Sequence, residues 1–108
     1  MKINFKQPMK DFSGNEMRQE VSTDGDVKIE SILISSPIIN ALMAAYKDDD
    51  KCSGEDKLKR FDISKKISES EGAIELSTDE ISFIKNYVNK AGFPPLTYAR
   101  INEVLEGK

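Results

Sequence analysis

An α+β fold is predicted, with a short N-terminal β-hairpin or β segment followed by a compact bundle of about four helices. Three features predict it. Short runs of alternating polar and apolar residues, separated by turn residues, occupy the N-terminal part. Helix-start residues then recur along the chain, and the stretches behind them repeat apolar residues at three- and four-residue spacing. A length of 108 residues suits one domain whose core forms without disulfides or metal. The expected division is a β-rich segment over residues 1–26 and a mainly helical body over residues 27–108.

Lys2 to Phe5 alternates in the strand manner, and Pro8 then makes this strand short or places it at an edge. Asp11-Phe12-Ser13-Gly14-Asn15 supplies turn chemistry before a second extended run, Glu16 to Val21. Ser22 to Asp26 reads as a further turn, with Asp24 and Asp26 flanking Gly25, and Val27-Lys28-Ile29 alternates briefly after it. Ile32-Leu33-Ile34 fits either a buried strand or the first turn of a helix.

Ser36 followed by Pro37 has the form of an N-cap with proline at the first helical position, so a helix is expected from about Pro37 to Lys47. Its apolar residues Ile38, Ile39, Ala41, Leu42, Met43, Ala44 and Ala45 nearly encircle it and imply burial on most sides. Ser53 opens the next helix, placed at Gly54 to Ser68, with Glu55 and Asp56 in the first turn and Lys65 and Lys66 near the end, the polarity that the helix dipole favours. Phe61, Ile63 and Ile67 form its expected inner face, and Leu58 falls to one side. Ala73 to Leu76 alternates like a strand. Ser77 and Glu80 have capping-box spacing, Ile81, Ile84, Val88 and Ala91 make one helix face, and Gly92 suits a left-handed end. Phe93-Pro94-Pro95 stops that helix, and Pro95 begins a last one to about Glu106, with Leu96, Ile101, Val104 and Leu105 as its stripe.

No catalytic residues, cofactor or metal ligands are expected. The chain has no histidine, which removes the usual neutral-pH general base and the commonest metal ligand. Its single cysteine, Cys52, excludes an internal disulfide, and the acidic residues around it disfavour a thiolate. Asp48, Asp49 and Asp50 with Glu55 and Asp56 could attract a hard cation, but no register from Asp48 to Lys59 places the glycine and glutamate of a calcium loop. A solvated acidic loop is the reading adopted. The glycines are dispersed, so no phosphate-cradling loop is formed.

With 38% hydrophobic and 32% charged residues and a formal net charge of −3, the composition is polar enough for solution and apolar enough to fold. Mixed charge disfavours nucleic acid as a partner. The basic run Lys57, Lys59, Arg60, Lys65 and Lys66 reads as a salt-bridged surface helix. The start lacks the apolar core of a secretion signal, and no run approaches the ~20 apolar residues of a membrane span. A membrane location is therefore not expected.

Ile3-Asn4-Phe5 to Gly14, Ile39-Asn40-Ala41-Leu42, Ser53-Gly54-Glu55-Asp56-Lys57 with Lys59-Arg60, and Leu76 to Ile81, followed by Lys90-Ala91 and Pro95-Leu96, resemble a family of small proteins of tailed bacteriophages and prophages. The resemblance implies a phage-encoded protein in the host bacterial cytoplasm and assigns no catalytic residue. The expectation is therefore a non-enzymatic accessory protein that binds a host or phage protein, for example as the inhibitor of a defence effector. Expected contact residues are the acidic Asp48, Asp49 and Asp50 and the exposed apolar Leu58 and Phe93. The alternative is a morphogenesis or tail-assembly component, a homo-oligomer formed by β-augmentation on the Lys2 to Phe5 strand. A nucleic-acid-binding regulator using the Lys57 to Lys66 helix is the third.

Overall fold

The computed structural model describes residues 1–107 and, at Thr23, the backbone. The fold is α+β. In chain order it comprises β1 (Lys2–Asn4), β2 (Arg18–Thr23), β3 (Asp26–Ser31), α1 (Ser35–Met43), a 3-10 turn at Asp49–Lys51, α2 (Gly54–Glu69), β4 (Ala73–Glu75), α3 (Thr78–Ala91) and α4 (Pro95–Leu105).

The expected hairpin-like start is present at the Asp11 to Asn15 turn, where Asp11 N–H donates to Asn15 O at 2.8 Å and Lys10 is bridged antiparallel to Glu16, but the Lys2–Asn4 strand takes no part in that pairing. β1 instead pairs antiparallel with β4, Ile3 opposite Ile74, because this register buries Ile3 and Phe5 in the helical core. A longer hairpin lies between β2 and β3, so strand structure runs past the expected boundary at residue 26. Its two-residue loop is Asp24-Gly25, with φ of 51° and 84°. Two consecutive positive φ values make the turn type whose twist matches the flanking strands, and Asp-Gly is a preferred pair for it.

Residues 5–9 lace this hairpin to the first helix. Phe5 O accepts from Ser35 N–H at 2.9 Å, Gln7 O from Ile34 N–H at 3.0 Å, and Met9 O from Met17 N–H at 2.8 Å. Ile32-Leu33-Ile34 is neither strand nor helix but the connection, with Leu33 bridged to Pro8. α1 then starts at Ser35, ahead of the expected Ser36 cap, and no side chain caps it. The donors of its first turn are met instead by the backbone of residues 5 and 33, and Pro37, still in that turn, has no N–H to leave unpaired.

α1 packs against α2 and α3, while α4 packs against α3 and β1. The largest fully buried side chains come from the four helices and from the residues beside β1, α1 and β4: Phe5, Ile34, Ile38, Leu42, Ile67, Leu76, Ile84, Val88, Ile101 and Leu105. α1 is less enclosed than its composition implies, since Met43 at its end faces solvent, as does Ala45 just beyond it.

α3 matches its sequence signals closely. Glu80 N–H donates to Ser77 Oγ and Ser77 N–H to Glu80 Oε1, both at 3.1 Å, and Gly92 ends the helix at φ 68°. Ser77→Ala removes half of this reciprocal cap and should cost about 1 kcal/mol in urea unfolding, with the structure retained. A loss indistinguishable from zero would show that the cap adds nothing to the fold.

Candidate functional site

The densest group of interacting polar and aromatic side chains lies where α1 ends and α2 and α3 pass it. It is centred on Arg60. On α2 the buried positions are Arg60, Ile63, Ser64 and Ile67, whose three- and four-residue spacing marks one helix face. Phe61, expected on that face, is turned outward instead. Arg60 takes the inner place because its donors reach two carbonyls at the end of α1 and the carboxylate of Asp49.

Arg60 is only 6% exposed. Its Nε–H donates to Leu42 O at 2.6 Å and Nη2–H to Ala44 O at 2.6 Å, closing carbonyls that a helix C-terminus leaves without partners. Nη1–H donates to Asp49 Oδ1 at 3.0 Å. The guanidinium lies 4.6 Å from the ring centroid of Tyr87 and 5.5 Å from that of Tyr46, within cation–π range. This is why α1 stops at Met43 rather than reaching Lys47: Ala44 turns extended, with ψ 152°, and the chain beyond it is held by Arg60.

The acidic run is divided by the same contacts. Asp49 Oδ2 accepts from Tyr46 N–H at 2.9 Å; this bond and then Arg60 hold its carboxyl below the usual range. Asp48 accepts from Lys90 Nζ at 2.9 Å through both oxygens, and that hydrogen bond lowers its pKa. Lys90 Nζ also lies 5.3 Å from the ring centroids of both Tyr46 and Tyr87. Asp48 and Asp49 therefore tie the α1–α2 connection to α3 and α2, while Asp48 itself stays exposed. Asp50 faces solvent in the 3-10 turn.

Cys52 Sγ lies 3.7 Å from Tyr87 Oη. Burial, and then the contact with Cys52, raises the Tyr87 phenol to about 12, so it is protonated at neutral pH and is no base for the thiol. Arg60, Asp49, Asp48 and Lys90 satisfy one another, and the cluster offers no paired base and nucleophile. Among the described residues, no group of three or more His, Cys, Asp or Glu is placed to hold a metal ion.

The basic residues of α2 are likewise dispersed. Lys66 Nζ donates to Glu75 O at 2.9 Å and lies 3.7 Å from Glu80, Lys59 Nζ sits 4.6 Å from the Phe83 ring centroid, and Arg60 is internal. They do not form one continuous cationic face.

Exposed apolar side chains mark the remaining surface. Leu58, expected to be open, is 66% exposed. Phe93 is not: it is half-buried and packed against the core. Three residues from Leu58, and so beside it on the helix, is Phe61, 50% exposed. Phe61 borders a shallow groove between α1 and α2 with Ile39, Met43 and Lys65, and Met43 is 52% exposed. Sequence reading missed Met43 and Phe61 because both lie in apolar helical patterns that suit a core equally well. The signal for Arg60 was present, as one arginine at helical spacing from Ile63 and Ile67.

Among the described residues, no helix is long and apolar enough to cross a membrane. No protein-family model, curated protein or solved structure matches the chain.

Proposed function

We propose that the chain is a non-enzymatic phage accessory protein that acts in the host bacterial cytoplasm by binding a host or phage protein and altering its activity, for example as an inhibitor of a defence effector. The observation that carries the binding role is the apolar surface of Met43, Leu58 and Phe61 along α1 and α2, left in solvent beside a polar cluster whose groups are already paired. Exposed large side chains gathered on neighbouring helices favour a protein partner, because burying them there gains hydrophobic free energy that their own fold does not. The resemblance to phage proteins supports the setting. Of the contact residues expected from sequence, Asp48, Asp50 and Leu58 remain exposed, Asp48 while paired with Lys90, whereas Asp49 faces Arg60.

Affinity capture from infected bacterial lysate tests this reading. A protein retained by the wild-type chain and reduced about tenfold or more by Phe61→Ser, the size of a hot-spot loss, is the expected result. Phe61 is exposed enough for the variant to keep its fold, which circular dichroism checks. Equal retention by both proteins, or no retained protein, contradicts the proposal.

The second reading, a morphogenesis or tail-assembly component that self-associates, is favoured by a different observation. β2 and β3 form a two-stranded sheet of their own, and β3 is exposed along nearly its whole length.

A further inference from the structure

We propose that β3 is a self-association edge, pairing antiparallel with β3 of a second copy about a two-fold axis centred on Ile29. This uses a surface separate from the α1–α2 face and does not rest on the binding role assigned to that face.

The geometry begins at the turn. Thr23 and Asp26 flank the two-residue loop, and the register continues as Val21 opposite Lys28 and Gln19 opposite Glu30. The pair flanking such a loop exchanges hydrogen bonds, and bonded pairs then alternate with unbonded ones along the ladder. Asp26, Lys28 and Glu30 thus direct their N–H and C=O groups toward β2. The hydrogen bond of 2.8 Å from Ile32 N–H to Met17 O continues the same alternation. The backbone groups of Val27, Ile29 and Ser31 therefore point away from β2, and among the described residues no third strand joins β2 and β3 to meet them.

An edge of this kind accepts another strand unless charge, proline or a bulge prevents it. β3 contains no proline, and Val27 and Ile29, which share one face, are 65% and 68% exposed. Charge then selects the occupant and the register. Residues 16–31 contain five acidic and two basic residues, which accounts for the whole formal net charge of −3 and leaves the remainder of the chain balanced. An acidic ribbon repels nucleic acid and unselective pairing with itself.

Only outward-facing residues can be hydrogen-bonded partners in a two-fold pair, which restricts the alignments. Centring on Lys28 sets Lys28 against Lys28 and Asp26 against Glu30. Centring on Glu30 sets glutamate against glutamate. Centring on Val27 overlaps only three residues of the strand. Centring on Ile29 overlaps five, from Val27 to Ser31, and sets Lys28 of each copy beside Glu30 of the other. Unbonded antiparallel pairs bring side chains closest, so both ion pairs fall where cross-strand charge acts most strongly. On the opposite face Ile29 meets Ile29, with Val27 on either side of the pair.

The test is the mass of the full chain against concentration, by sedimentation equilibrium, with circular dichroism as a check that each variant is folded. The wild type is expected to reach a dimer, and the dimer to show slowed amide exchange at Val27, Ile29 and Ser31 that fades on dilution. K28E replaces two attractions by two repulsions and should weaken dimerisation about tenfold. E30K should do the same, and the double variant K28E/E30K should restore it. A wild-type chain that stays monomeric throughout overturns the proposal. So does a dimer insensitive to K28E and E30K, or one in which protection falls elsewhere.

Discussion

Arg60→Met is expected to lower the free energy of unfolding by about 3 to 5 kcal/mol, the range for removing one partner from a buried charged network. Methionine keeps the length and much of the apolar contact of the arginine stem, so the loss reports mainly the polar contacts. Those contacts are specific. The carbonyls of Leu42 and Ala44 lose their donors, and the bond to Leu42 O, which is buried, is the costlier one to leave unmade. Asp49 loses its bond from Nη1, and the rings of Tyr46 and Tyr87 lose the cation between them. Arg60→Lys should recover little of this, because an ammonium cannot direct three fixed donors at three acceptors while stacking on an aromatic ring. Urea unfolding monitored by circular dichroism measures the effect. A loss below about 1 kcal/mol for Arg60→Met would show that the cluster does not hold the helices together.

Phe5→Ala should cost a similar amount, about 3 to 5 kcal/mol, through lost burial and the cavity left behind. Phe5 is fully buried, although it follows a strand of three residues. Its backbone carbonyl still accepts from Ser35 N–H after the substitution, so the change isolates the ring from the hydrogen bond that anchors α1. Phe5→Leu, which refills most of the space, should lose about 1.5 kcal/mol or less. Unfolding midpoints at unchanged denaturant slope are the readout. If the alanine variant were as stable as the wild type, the N-terminal strand would not be part of the core.

These two residues also show where sequence reading reached its limit. α3 was legible because its signals are local: Ser77 and Glu80 close its first turn, Gly92 its last, and the buried stripe of Ile81, Ile84 and Val88 lies between. α2 begins as Ser53 indicates, with Ser53 Oγ accepting from Asp56 N–H at 3.1 Å, and α4 begins at Pro95. The pairing of β1 with β4 was not legible. Two three-residue strands separated by most of the chain hold no local preference for each other, and burial of Ile3 and Phe5 decides their register. The end of α1 was hidden for the same reason, since no glycine or proline stops it and the capping donor belongs to another helix.

The candidate site was legible only in part. Leu58 is exposed as its position off the inner face of α2 implies, but exchanging Phe61 for Arg60 on that face follows from acceptors that α1 presents in three dimensions. Charge runs ordinarily face solvent, and Asp50 does. Asp48 does too while pairing with Lys90, and Asp49 alone is drawn in, because Arg60 of α2 reaches it.

Partner binding is proposed to lie on the apolar face of α1 and α2 and not on the acidic run. Quantitative affinity capture with Phe61→Ser and Asp50→Asn side by side tests it most directly, as both positions are accessible and neither substitution disturbs the Arg60 cluster. The prediction is that Phe61→Ser loses the captured protein while Asp50→Asn retains it at the wild-type level. Loss with Asp50→Asn and retention with Phe61→Ser would contradict it.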